Sequence, residues 1–176
     1  MTKNAERIWD LVEAKSAEHA ALADMIWEAP ELNYTEVTAM NGHLEFLRRE
    51  GFRVTEQVAG LPTAVLGEAG EGGPVIAILG EYDALPGLSQ QAGVDEPCPV
   101  ENGGHGHGCG HHILGAASLL AATAVKDWLA ETGRKGTVRY YGCPAEEGGS
   151  AKTFMARDGI FADVDIAICW HPAAFT

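Results

Sequence analysis

Apolar residues recur at helical spacing from Ile8 through Leu11, Val12, Leu22, Met25 and Ile26, which predicts one long helix ending before Pro30. A second helix is expected over roughly 35–50, with Gly51 standing where a C-terminal glycine closes a helix. Residues 52–58 and 64–67 read as strands and 70–74 as a turn. Val75-Ile76-Ala77-Ile78-Leu79 is an unbroken β-prone run, the mark of a strand covered on both faces. Beyond it, 82–110 carries too many glycines and prolines for regular structure, and loops of that length in compact domains are functional or disordered. From 113 to 129 the chain is apolar nearly all round, through Leu114, Ala117, Leu119, Leu120, Val125 and Trp128, as a buried helix would be. A strand over 137–142, a short helix over 150–157 and a strand over 164–169 that reads as central complete the pattern. Strands alternating with helices predict an α/β layered fold in a single domain, with no repeat and no linker.

Composition narrows the function. Twelve basic residues stand against 25 acidic ones in 176, for a formal net charge of -13. Such a balance argues against nucleic-acid binding, which needs a basic face. The first ten residues are polar and charged, unlike a secretory signal, and no apolar run reads as a membrane span of roughly 18 residues. Cys98, Cys109, Cys143 and Cys169 lie far apart, so cytoplasmic thiols are expected rather than disulfides, with Cys143 and Cys169 as packing residues inside strands.

The chemistry concentrates in Gly104-His105-Gly106-His107-Gly108-Cys109-Gly110-His111-His112. Imidazole and thiolate hold borderline-soft divalent metals, and interspersed glycines let a backbone fold tightly around an ion. Further candidates each follow a predicted strand: Glu81 and Asp83 after 75–79, Glu146 and Glu147 after 137–142, and His171 after 164–169. In open α/β sheets sites gather beyond the carboxyl ends of strands, so these groups can converge. Adjacent carboxylates suit a division of labour, one binding metal and one acting as general base. Asp83 could instead orient a ligand imidazole. The stretch Gly148-Gly149-Ser150-Ala151-Lys152-Thr153 is discounted as a phosphate loop, because Ala151 replaces the glycine required before the lysine and two acids precede it. His19 and His43, on predicted helices, read as packing residues.

Taken in order, Gly80-Glu81-Tyr82-Asp83-Ala84-Leu85-Pro86, His107-Gly108-Cys109-Gly110-His111, Pro144-Ala145-Glu146-Glu147-Gly148-Gly149 and Trp170-His171 resemble the successive metal-site motifs of the M20 metallopeptidase and amidohydrolase family. Stretches 80–93, 141–154 and 164–172 are most similar to the branch that hydrolyses p-aminobenzoyl-glutamate. The resemblance implies a three-layer α/β sandwich with a mixed, mostly parallel sheet, of the zinc-exopeptidase kind. It implies two divalent ions, manganese or zinc, with Cys109, His111, Glu147 and His171 as ligands, Glu146 as general base and Asp83 behind the site. His112 departs from the aspartate usual at its position, a change expected around the ligands rather than among them. The expected reaction is hydrolysis of an amide bond to an amino acid, with p-aminobenzoyl-glutamate yielding p-aminobenzoate and glutamate. The alternatives are another N-acyl amino acid, as for an aminoacylase or hippurate-like hydrolase, and, outside the enzymes, a non-catalytic metal-binding fragment. Family members are much longer, so 1–176 is expected to be the N-terminal part of the catalytic domain. On that expectation an inserted lid and dimerisation domain and a last ligand histidine lie elsewhere, and the piece alone is inactive. A homodimer, or pairing with a related A subunit, is the expected assembly, with no nucleic-acid or membrane partner.

Overall fold

The structure, a computed structural model, describes residues 2–173. Helix α1 (Lys3–Glu28) is capped by Thr2, whose hydroxyl accepts from the Ala5 amide, and it buries Leu11, Leu22, Ala23 and Ile26 on one side. Helix α2 (Val37–Arg49) follows, then strands β1 (Arg53–Glu56), β2 (Val65–Glu71) and β3 (Val75–Glu81). Helix α3 (His111–Thr132) comes after the irregular segment, then β4 (Gly136–Cys143), the single-turn α4 (Glu146–Gly149), α5 (Ala151–Arg157) and β5 (Ile166–Ile168).

The strands form one sheet in the order β1-β2-β4-β3-β5. β3 runs parallel to both β4 and β5, while β2 is antiparallel to β1 and β4, so every strand but β2 points the same way. Alternation along the strands sends side chains to two cores. Ile78, Val138, Tyr140 and Val65 pack with Leu22, Ile26, Leu47 and Leu119 under α1, α2 and α3. Ala77, Leu79, Tyr141 and Cys143 pack with Met155 of α5, Val58 and Phe161 on the opposite face. Helical cover on both faces makes three layers around a mixed sheet, and the run 75–79 is covered on both sides as its composition predicts.

Several local expectations change. β2 extends to Glu71, because its residues keep pairing with β4 as far as Gly136. Among the described residues the last strand lies at one side of the sheet: β5 pairs with β3, and Ile166 and Ile168 are each 48% exposed. Cys169, just beyond β5, is exposed among the described residues, whereas Cys143 is buried as expected. α3 begins at His111, two residues earlier than its apolar run, and over 18 residues reaches a mean hydropathy of 1.4. It is therefore long and apolar enough to cross a membrane by length and composition, contrary to the reading of the bare sequence. Its Leu114, Ala116, Leu119 and Ala122 are buried within the domain, as in a core helix.

Gly115 decides how closely α3 approaches the sheet. A Cβ there would lie 2.5 Å from the Glu81 carbonyl oxygen and 3.0 Å from His43 Nε2. Only a residue without a side chain lets the first turn of α3 rest against the end of β3. That contact brings His111 beside Glu81.

Candidate metal centre

The carboxyl ends of β3, β4 and β5 lie at one rim of the sheet, with Glu81 of β3 in register with Cys143 of β4. The acidic residues after β3, the acidic turn after β4 and His171 after β5 are thereby gathered, and the N-terminus of α3 delivers His111 among them. Ligand atoms of Cys109, His111 and His171 lie within 4.8 Å of one another, and so do those of Glu81, His111 and Glu146.

His111 is the hub of the cluster. Its Nδ1 lies 2.9 Å from Asp83 Oδ1, with both side chains buried, so Nδ1 carries the proton and donates it. His171 Nδ1 likewise faces the Pro172 carbonyl oxygen at 2.7 Å. Both rings then turn their Nε2 lone pairs toward each other, 3.3 Å apart. Glu81 Oε2 stands 3.1 Å from His111 Nε2 and Glu147 Oε1 stands 3.9 Å from it. Glu81 Oε2 is buried and receives no hydrogen bond. Acceptors facing acceptors at these distances need a cation between them. Without an ion a proton does this work. Burial opposes an imidazolium at His111, but the Asp83 bond and the charges of Asp83, Glu81 and Glu147 outweigh it and raise the pKa.

The other groups complete a donor set. Burial pushes the Asp83 carboxyl up, but the His111 bond and the Glu147 amide, 3.0 Å from Oδ2, bring it below its ordinary value. Cys109 is half-buried, and a hydrogen bond with Glu147, ahead of burial, pushes its thiol up to about 11. A divalent ion reverses that balance, because a coordinated thiol loses its proton. Among the described residues, Lys152 pairs with Glu81 Oε1 and is the lysine or arginine that the acidic cluster engages. An excess of carboxylate, two imidazoles and a thiol around an unsatisfied buried oxygen fit divalent metal. A cleft of about 320 Å³ lined by Cys109, Gly110, His171 and Pro172 opens beside the cluster.

Every residue singled out from the motifs, Asp83, Cys109, His111, Glu146, Glu147 and His171, reaches this place. The remaining loop histidines do not join the ligand cluster. His105 is exposed, and His107 Nε2 faces the Ile26 carbonyl at 3.1 Å. His112 packs against the ring of Trp27 at 4.9 Å between centroids, and burial takes its pKa down to about 4. A larger hollow of about 530 Å³, lined by Trp27, Pro30, Val100 and His105, shares only His107 with the cleft beside the cluster. In the bare sequence Glu81 stands out without a role, and Lys152 appears only within a discounted phosphate loop. Their pairing joins β3 to α5 across 71 positions, which no local pattern announces.

The profile of Peptidase family M20/M25/M40 matches residues 77–174. The chain belongs to this family. It is 52% identical over 166 residues to a subunit of p-aminobenzoyl-glutamate hydrolase from Escherichia coli (strain K12), covering 94% of this chain and 34% of that protein. It is 30% identical over 162 residues to hippurate hydrolase of Campylobacter jejuni, covering 90% of this chain and 40% of that one. A solved Bacillus subtilis structure, described as a dinuclear metal-binding peptidase of the M20 family, matches with a TM-score of 0.66 at 29% identity over 90% of this chain and 44% of the other. The chain thus spans about a third to two-fifths of the curated relatives' length.

Proposed function

We propose that this M20 chain serves in a metal-dependent amidohydrolase that cleaves p-aminobenzoyl-glutamate with water to p-aminobenzoate and glutamate. The observation that carries the reading is the pair of imidazole Nε2 atoms of His111 and His171, 3.3 Å apart beside Cys109, with the donor-less Glu81 oxygen next to them. The substrate is supported by the 52% identity to the Escherichia coli hydrolase subunit. Two divalent ions, manganese or zinc, would be held by Cys109, His111, Glu147 and His171, as the dinuclear Bacillus subtilis relative suggests. When bound, they supply Lewis-acid charge that makes water a nucleophile near neutral pH and polarises the amide carbonyl.

The chain's own residues do the rest. Glu146, within ligand distance of His111, takes a proton from the attacking water on a carboxylate oxygen and passes it to the departing nitrogen of glutamate. Asp83 holds His111 in the tautomer that keeps Nε2 available for metal. We place the chain as the N-terminal part of a longer catalytic domain, in keeping with its 34% share of the Escherichia coli protein. On this reading a lid and a further ligand histidine come from sequence beyond it, and the partner is a second copy or a related A subunit. Four unpaired thiols suit a cytoplasmic setting.

The test is chromatographic release of p-aminobenzoate by the complete metal-stripped protein after addition of manganese or zinc, alongside hippurate and acetylated amino acids. No release of p-aminobenzoate with either ion overturns the substrate. A higher kcat/KM on hippurate moves the assignment to a general N-acyl amino acid hydrolase. Turnover by the 176-residue chain alone at the rate of the complete protein would remove the split-domain reading.

A further inference from the structure

The acidic turn that bears Glu146 and Glu147 is conformationally unusual. Ala145 before it and Ser150 after it both adopt left-handed backbone, with φ 51 and φ 52, although neither is glycine. Non-glycine residues stay there only when surrounding structure holds them. Both ends of the turn are held by one short segment between α1 and α2. Glu36 Oε1 accepts from the Ala145 amide at 2.8 Å, and the Tyr34 hydroxyl donates to the Gly149 carbonyl at 2.7 Å. The same segment reaches the other acidic motif, where the Ala84 amide donates to the Glu31 carbonyl at 2.8 Å, one residue past Asp83.

Glu36 is the centre of this arrangement. It is fully buried, and its second oxygen accepts from the Thr63 hydroxyl at 2.7 Å. A carboxylate is an expensive group to bury where an apolar side chain would pack. Its side-chain bonds go to the strained turn and to one hydroxyl, and to no lysine or arginine.

We propose that Glu36, with Tyr34, is a positioning residue that locks the Ala145–Gly149 turn so that Glu146 and Glu147 face His111. It touches neither metal nor substrate, and it acts through the backbone that carries them. The inference rests on the metal-centre reading above.

Cobalt(II) is the probe, titrated into the metal-stripped protein and followed by its visible absorption, with thermal unfolding of the metal-free form measured in parallel. Glu36→Gln keeps an oxygen for the Ala145 amide, and its NH2 can donate to a rotated Thr63 hydroxyl, so it retains the cobalt spectrum and an affinity within about threefold of the parent. Glu36→Met fills the space without an acceptor and binds cobalt about tenfold or more weakly, with a changed spectrum. Tyr34→Phe keeps the ring, deletes one bond, leaves unfolding nearly unchanged and weakens cobalt about two- to tenfold. It therefore reports even if Glu36→Met does not fold. Parent-like cobalt binding in Tyr34→Phe, or in folded Glu36→Met, overturns the proposal, as does a loss in Glu36→Gln equal to that in Glu36→Met. A parent protein that takes up no cobalt overturns the metal-centre reading itself, and this inference with it.

Discussion

Asp83 and His111 are joined by a 2.9 Å hydrogen bond between two fully buried side chains, and the other oxygen of the same carboxylate accepts the Glu147 amide at 3.0 Å. One carboxylate thus orients a candidate ligand ring from α3 and the acidic turn after β4. Asparagine cannot do both, since its NH2 would meet either the His111 N–H or the Glu147 N–H, donor against donor. Asp83→Asn should therefore weaken divalent metal binding by about 10- to 100-fold. It should also cost about 1–3 kcal/mol of stability in the metal-free protein. A chelator-competition titration with zinc measures the first, and an unchanged affinity would show that Asp83 does not orient the ligand.

Glu146 and Glu147 are neighbours in sequence with different surroundings. Glu146 lies within ligand distance of Glu81 and His111, while Glu147 approaches His111 Nε2 at 3.9 Å and raises the pKa of the Cys109 thiol. Glu146→Gln in the complete protein is expected to retain its metal content and lose about 10²- to 10⁴-fold in kcat, the usual worth of a general base. Glu147→Gln should lose metal first. Elemental analysis beside steady-state kinetics separates the two, and metal loss in Glu146→Gln with full retention in Glu147→Gln would reverse the assigned roles.

Lys152 and Glu81 form an ion pair with Glu81 almost wholly buried and Lys152 at 30% side-chain exposure. Removing the lysine leaves a buried carboxylate with only the His111 ring, 3.1 Å from its other oxygen, to offset its charge among the described residues. Lys152→Met should lower the stability of the metal-free protein by about 1–3 kcal/mol, less than for a fully dry pair because water reaches the ammonium. Added zinc should restore part of that loss, because metal binds the folded state and its charge replaces the missing ammonium. Equal unfolding temperatures for Lys152→Met and the parent without metal would refute the argument.

What can be read from the bare chain follows from how local each signal is. Cys109 and His111 announce themselves because ligand chemistry and glycine spacing sit within a few residues, and the run 75–79 does so because burial on both faces leaves no polar position. Glu36 gives no such signal. It looks like one more acid at the start of a helix, and its meaning lies in an amide 109 residues away. The strand over 166–168 reads as central because its apolar residues match a buried strand, and among the described residues its pairing is with β3. His43 reads as a packing residue, which its burial bears out, although its titration cannot be seen without the rings around it.

His43 is completely buried against Tyr82 and Tyr140, with Nδ1 2.8 Å from the Ala39 carbonyl and Nε2 without a partner. Burial, ahead of the Ala39 bond that opposes it, lowers its pKa to about 4. A histidine depressed in the folded state is neutral in both states above its unfolded value of about 6.5, so its contribution is intact there. As pH falls from about 6.5 toward 4, the unfolded chain takes up the proton first, and stability drops by up to about 3 kcal/mol from this residue alone. His43→Phe keeps a flat ring beside Tyr140 and removes the titration. Thermal unfolding of metal-free parent and variant between about pH 7.5 and 4.5 should show the parent losing stability more steeply below about pH 6.5, with the curves parallel above it. Parallel curves across the whole range would mean that His43 is protonated within the fold, and that its unpartnered Nε2 has found an acceptor.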